Sequence, residues 1–562
     1  MFTTKWEITR HEAVAEEGMV AAKHPLAVEA GLDVLKAGGN AVDAAMTTAL
    51  AMGVLEPYMN GIGGGGFMVY YEAQTGRTYF LDYFMPAPKA ATADMYEIEQ
   101  AGATDTLGFR GIKDDANLIG HRSAGVPGMV AGAAAALARF GTISLQQALQ
   151  PAIAFAENGF PVSWHTMLMG ARSMPLLASF PATAAVYLKE GKYLFSAGDI
   201  GSPDLLVQQD LAKTLKAIAA EGPQAFYQGE IGAAIVRELQ AHGNVMAPED
   251  LTGYQAEFVE PRSITYRGEY EIFYGPNTGG GTIAETLNIL DGFSFNGRAP
   301  TDPEALHLYI EAARIAYADR WQHLADERFV DVPWRTLESK AYAADRRGAI
   351  DGAKAAAAVE PWRAGNLAPS RAEGDGGCTT HLSVVDRNRN MVSITQTINM
   401  VWGSGVVAPG TGVLLNDTMV LFNPVPGSAN SIEGGKRPLS SMTPVLVLKN
   451  GKPFLTLGAP GGRLIIGTVM NVLHNVIDYG MGIQEACNRL LLDCSTPAVL
   501  FDADVDPAAL AALAAMGHEC TTREKSFLPR LFASPTGILV NPETGALHGG
   551  ADPYHPGIAA GF

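Results

Sequence analysis

The sequence is poor in cysteine, in charge and in long apolar runs. Its four cysteines, at 378, 487, 494 and 520 of 562 residues, show no CxxC or Cys/His spacing, which excludes a disulfide scaffold and the usual zinc patterns. Charged residues make up only 17% and the net charge is −18, whereas a nucleic-acid partner calls for a basic stripe. The apolar stretches around 40–55 and 127–138 are Ala/Gly-rich and interrupted, so they read as core helices and not as membrane spans. The N-terminal residues carry no apolar core of the secretory kind, and a cytoplasmic protein without nucleic-acid or membrane partners is expected. GxSxG, HExxH, EF-hand and P-loop patterns are also missing. The glycine-rich run Gly61–Gly66 follows a helical pattern and precedes a strand, the reverse of a dinucleotide loop, so no nucleotide site is expected there.

What is present is a globular chain, 47% apolar. HPLAVEAGLDVLKA ends at Gly38-Gly39, and NAVDAAMTTALAMGVL opens on Asn40 as N-cap. Strands are predicted at 67–71, 79–83, 445–448 and 454–457, the last two joined by Asn450-Gly451. Helical patterns dominate 127–158, 204–242 and 303–325, and a Gly/Ala/Asp/Glu-rich stretch, 351–377, reads as an exposed mobile segment. Strands in both halves with helices around them predict one α+β unit of layered sheets.

The chemistry centres on Cys378-Thr379-Thr380-His381-Leu382. Segments 379–385 and 391–399 are β-branched and alternating, around the turn cluster 386–390. Pairing Val385 with Met391 puts Thr379 opposite Thr397, with Asn399 on the same face. A threonine hydroxyl needs a base. Cutting the chain before Thr379 would supply one, the freed α-amine. A Thr-rich wetted hairpin accounts for this segment taken alone. His381 shares the face of Thr379 but lies a full pleat repeat away and reads as structural. A second element is the strand–Ala459-Pro460-Gly461-Gly462–helix turn, whose bare amides suit an oxyanion, or simply a tight turn. Ser440-Ser441 offer hydroxyl donors, or turn residues.

Together these blocks resemble the γ-glutamyltranspeptidase family of N-terminal nucleophile hydrolases. The resemblance rests on residues 24–45, GIGGGGF (61–67), TTHLSVVD (379–386), TQTIN (395–399), KRPLSSMTP (436–444), APGG (459–462) and the terminal ADP…GF. It implies a four-layer αββα sandwich without metal or organic cofactor, cut at Cys378–Thr379 into residues 1–378 and 379–562. These pieces would form a heterodimer, itself open to dimerisation. Thr379 would be the nucleophile, Thr397 its hydrogen-bond partner, Gly461 and Gly462 the oxyanion hole, and Asn399, Ser440 and Ser441 substrate contacts. The substrate would be a small amide, with water or an amine as acceptor.

Two departures redirect specificity. The family's D-[FY]-R-E-x-A-P segment carries an Arg for a glutamyl α-carboxylate, and here Phe84 stands in its place (Asp82–Pro88). Its N-N-x-M-D-D-F segment binds the α-amino group. Here it reads Asn416–Phe422, with Val420-Leu421 replacing both acids; Phe84, Thr418 and Leu421 are then expected substrate contacts. A more apolar acyl pocket is expected, as in the amidohydrolase and cephalosporin-acylase branches. The alternatives are an ordinary glutathione hydrolase, with Arg110 or Lys89 replacing the missing Arg, and an inactive binding relative.

Overall fold

The helix after Gly39 starts where its cap residue stands. Asn40 accepts hydrogen bonds from the N–H groups of Val42 and Asp43, and Asp43 accepts one from the Asn40 N–H at 2.9 Å. This capping box opens the helix Ala41–Leu55. That helix is apolar all round because it is enclosed by the helix Pro25–Lys36 on one side and a sheet on the other. The computed structural model describes residues 8–99, 109–198, 201–361, 378–489, 491–524 and 532–562. Most of the stretch predicted to be mobile, 362–377, lies outside the described residues.

Two seven-stranded antiparallel sheets form the centre. The first runs Ile558–Gly561, Met19–Ala22, Cys378–Val385, Met391–Asn399, Gly65–Glu72, Arg77–Tyr83, Glu257–Val259. The second runs Ala13–Ala15, Leu547–Ala551, Thr536–Val540, Lys452–Gly458, Val445–Lys449, Tyr270–Tyr274, Arg262–Tyr266. Alternation sorts the first sheet's side chains. Val20, Ala22, Leu382 and Val384 join the core under the helices Pro25–Lys36, Ala41–Leu55 and Met129–Phe140. Met19, Ala21 and Val385 face the second sheet, whose far side is covered by Gly280–Leu290, Pro303–His323 and Leu464–Asp478. The result is the expected αββα sandwich. Among the described residues no helix is long and apolar enough to cross a membrane.

The strands at 65–83 and 445–458 and the Asn450-Gly451 hairpin stand as predicted. Of the long helical stretches, 303–325 stands as the single helix Pro303–His323, whereas 127–158 and 204–242 are divided. The 204–242 pattern becomes Gln209–Glu221, Gln224–Tyr227 and Glu230–Ala241. Gly222, at φ 83°, ends the first of these in a conformation that a side chain would disfavour. The glycine run is a packing device: a Cβ on Gly64 would lie 2.1 Å from the Thr397 carbonyl oxygen. Only bare backbone lets these segments approach so closely.

Candidate active site

Strands Cys378–Val385 and Met391–Asn399 pair Val385 with Met391 and keep that register to Thr380↔Gln396. There the ladder breaks. Cys378 pairs with Asn399, so a β-bulge replaces the predicted direct pairing of Thr379 with Thr397. Two residues, Thr397 and Ile398, now oppose Thr379, and the extra residue bends the strand end, as bulges near active sites do. Asn399 takes up a left-handed conformation (φ 84°) and its N–H donates to the Thr397 hydroxyl at 2.7 Å. The Thr397 hydroxyl in turn donates to the Cys378 carbonyl oxygen, so in the uncut chain it polarises the carbonyl next to Thr379. On the opposite face of the strand, the Thr380 hydroxyl donates to buried Glu56 at 3.1 Å, and Glu56 lies 3.8 Å from buried Lys23. The residues flanking Thr379 are thus held from both faces of the sheet.

His381 is structural, as expected. Its ring nitrogens lie 2.9 Å from the Thr395 hydroxyl and 3.1 Å from the Ser383 hydroxyl. Burial between the sheets lowers its pKa to about 3, so at neutral pH it carries no charge.

Thr379, Thr397, Asn399, Ser440, Ser441 and Gly462 line one cleft. Gly461 adjoins it at φ 142° and Gly462 lies at φ 59°. A Cβ on Gly461 would come within 2.7 Å of the Ala533 backbone. Among the described residues neither glycine's N–H donates a backbone hydrogen bond, so two amides are unspent at the edge of the cleft that Gly462 shares with Thr379. The Ser440 hydroxyl accepts from the Met442 N–H at 3.1 Å.

The remaining wall is apolar: Phe84, Phe109, Trp321, Leu421, Leu439, Met442 and Ile465. Phe84 stacks on Phe67 with centroids 5.0 Å apart. Leu421 reaches the cleft, whereas Val420 and Thr418 are buried without lining it, so the geometry does not bring the expected Thr418 contact to this cleft. Arg110 and Lys89 do not replace the missing Arg. Half-buried Arg110 donates to the Glu99 carbonyl at 2.8 Å and exposed Lys89 to the Glu249 carbonyl at 3.3 Å, and neither lines the cleft.

Two cations line the cleft, and one of them is Arg320, 2% exposed. It donates to the carbonyls of Ser440 (2.8 Å) and Thr278 (3.1 Å), and its guanidinium lies 5.8 Å from the Trp321 ring centroid. Among the described residues no carboxylate pairs with it and its Nε has no acceptor. Burial lowers its pKa to about 10, which leaves it charged at neutral pH. Arg463, also in the lining, is neutralised by Asp493 at 2.8 Å. Sequence reasoning missed Arg320 because it lies inside a 21-residue helix, Pro303–His323, where an arginine reads as solvated surface. It also missed Asn430, which donates to the Leu421 carbonyl and accepts from the Leu439 N–H, both at 2.8 Å, and so ties two lining residues together.

A threonine at a strand end, unspent amides across from it and an αββα sandwich around them define an amide hydrolase or transferase of the N-terminal nucleophile type. The comparisons agree. The family model "Gamma-glutamyltranspeptidase" matches residues 27–562. A glutathione hydrolase proenzyme of Escherichia coli (strain K12) is 37% identical, covering 97% of this chain and 91% of its own. An "Acylase ACY 1 proenzyme" of Pseudomonas sp. (strain V22) is 38% identical over 96% and 92%. The crystal structure of a cephalosporin acylase from Bacillus halodurans superposes with a TM-score of 0.86 at 30% identity, over 100% of this chain and 98% of that one. This chain belongs to the γ-glutamyltranspeptidase family.

Proposed function

We propose that the chain is a self-processing N-terminal threonine amidase for acyl groups that carry a carboxylate but no α-amino group. The reading rests on one observation. The cleft brings together Thr379, Thr397, Asn399 and Gly462, while Phe84 and Leu421 occupy the family's charged-clamp positions and Arg320 is its unpaired cation. An unpaired buried charge costs several kcal/mol, roughly, unless an anion joins it. A substrate carboxylate in the cleft would be that anion. A substrate ammonium would meet the apolar wall instead and be rejected.

Maturation begins with attack of the Thr379 hydroxyl on the Cys378 carbonyl; the C–N bond breaks as the ester forms, freeing the Thr379 α-amine, and water then opens the ester to release the Thr379 hydroxyl and the Cys378 carboxylate. The proenzyme names of the relatives support this step. In the first half-reaction the α-amine takes the Thr379 hydroxyl proton as its oxygen attacks the substrate carbonyl. The resulting oxyanion accepts from the Gly461 and Gly462 N–H groups, and the amine's proton passes to the departing amine. In the second, water enters through the same base and the acid leaves. Since each sheet is built from strands of both 1–378 and 379–562, the two pieces would stay associated after the cut.

The test compares kcat/KM for a glutaryl amide with its γ-glutamyl counterpart. The glutaryl compound is expected to win. A tenfold advantage for the γ-glutamyl compound would instead make the enzyme a glutathione-type hydrolase.

A further inference from the structure

The helix Leu464–Asp478 is mostly apolar and buried, yet Asn471, His474, Asn475 and Asp478 share one stripe of its second half. The first three are each 6% exposed, and polar side chains buried to that degree are costly unless partnered. They line a cavity of about 270 Å³ between this helix, the first turns of Pro303–His323 and the segments 299–301 and 489–492. Ala299, Thr301 and Arg489 form its exposed mouth; Leu306, Tyr309 and Leu492 are buried inside. Among the described residues none lines both this cavity and the catalytic cleft.

The hydrogen bonds show what the cavity offers. Asp478 accepts from His474 Nδ1 (2.7 Å), the Tyr266 hydroxyl (2.8 Å) and Arg267 Nε (2.7 Å). Burial opposes its ionisation, but the His474 hydrogen bond and the Arg267 charge lower its pKa. The carboxylate therefore holds a proton on Nδ1 and leaves Nε2 as an acceptor. Asn471 spends its amino group on the carbonyls of Gly467 and Leu492, which leaves its Oδ1. Among the described residues Nε2, this Oδ1 and both polar atoms of the Asn475 side chain have no hydrogen-bond partner, and none of them is sealed from the cavity.

We propose that this cavity binds a purine base bearing an amino group, such as adenine. On the scale where about 150 Å³ takes benzene, this space takes roughly ten or eleven heavy atoms, the size of a purine. The rings of Tyr309 and Tyr479, which flank His474 with centroids 5.4 and 5.2 Å away, suit a flat aromatic ligand. An asparagine amide pairs bidentately with the amino group and ring nitrogen of adenine, and Asn475 has both halves free. The second amino hydrogen and the ring N–H would serve the acceptors of His474 and Asn471. Arg489 at the mouth is paired with Glu485 at 2.7 Å, so the site calls for a neutral ligand.

The full-length protein should be titrated calorimetrically with adenine near neutral pH. One molecule per chain is expected, with Kd below about 500 µM. Asn475→Leu, which removes the pairing edge, and Thr301→Trp, which narrows the mouth at an exposed position, should each weaken binding at least tenfold. Amidase kcat/KM should be unchanged in both. Indole has a similar outline but no acceptor for the Asn475 amino group, and should bind at least tenfold more weakly than adenine. A Kd for adenine above that limit would leave the cavity to water and overturn the proposal. Binding undiminished in either variant, or indole as tight as adenine, would overturn it equally.

Discussion

The two walls of the cleft are held by different means. The catalytic wall is made by backbone: a bulge between two central strands places Thr379, Thr397 and Asn399, and a Gly-Gly turn leads into the Leu464–Asp478 helix. The recognition wall is made by side chains from separate segments, Phe84, Leu421, Leu439 and Arg320. A wall of the second kind can exchange charge for bulk without moving the strands. A wall of the first kind cannot, since its parts are also the core of the sandwich. Specificity can therefore drift while chemistry stays, and each wall should respond to mutation in its own way.

The largest effect belongs to the catalytic wall. Thr379→Ala should leave the chain uncut and reduce amidase turnover by at least about 10³-fold, the scale of losing a covalent nucleophile. A denaturing gel with N-terminal sequencing reads the first and product release the second. Two fragments in this variant would show that another residue performs the cut.

Next comes the recognition wall. Arg320→Met removes a charge-assisted contact of about 1.5–3 kcal/mol, roughly a 10- to 150-fold change in rate. The loss should appear in kcat/KM for a glutaryl amide and much less for the pentanoyl amide, which has the same length and no carboxylate. Arg320 also holds the Ser440 carbonyl, so the ratio of the two substrates is the informative quantity. An equal fall for both would reduce Arg320 to a support for the serine turn.

The contrast between the walls also sets what could be read from the sequence. Local signals were faithful: the Asn40 cap, the Asn450-Gly451 hairpin and the alternating 379–385 segment all form as their residues dictate. The Thr379 end of the hairpin was legible because strand register carries over from Val385↔Met391 to Thr380↔Gln396. It failed by one residue, since a bulge answers to tertiary packing around Asn399 and Asp417 and not to local pattern. Arg320 and Asn430 were illegible for a related reason. Their importance lies in contacts across 120 and 9 positions of chain, and neither residue type signals burial by itself. Arg110 and Lys89 were candidates only as basic residues that could replace the missing Arg, and neither lines the cleft.

A smaller loss should follow at the catalytic wall from Thr397→Ala. Its hydroxyl links the Cys378 carbonyl to the Asn399 N–H, and removing one such orienting bond costs about 1–2 kcal/mol, roughly five- to 30-fold in rate. Both self-cleavage, followed by gel, and turnover of the matured enzyme should slow, with the thermal midpoint little changed. Unaltered rates would mean that Thr397 fills space and orients nothing.

The smallest and most specific effect concerns Asp417, which joins the two walls. Its Oδ1 accepts from the Met400 N–H at 2.9 Å, its carbonyl accepts from the Asn399 side chain at 3.3 Å, and its Oδ2 has no partner among the described residues. Burial raises its pKa to about 8, against the lowering effect of the Met400 N–H, so near neutral pH it is an uncharged acid of nearly the same shape as the Asn in the family's N-N-x-M-D-D-F segment. Because the folded pKa is raised, the native state binds the extra proton between the unfolded value of about 4 and about 8. Its stabilising contribution is therefore full below that window and is lost as pH rises through it. Asp417→Asn removes this slope. Stability relative to the parent should increase steadily from about pH 5 to about pH 8 and then level off, as read from urea midpoints. Activity near pH 6 should be unchanged, because Asn399 keeps the backbone carbonyl it uses. Above pH 8 the parent should lose activity a few-fold as charge appears beneath Asn399, and the variant should not. Parallel stability and activity profiles for the two proteins would show that Asp417 is ionised throughout, paired with a cation the cleft has yet to reveal.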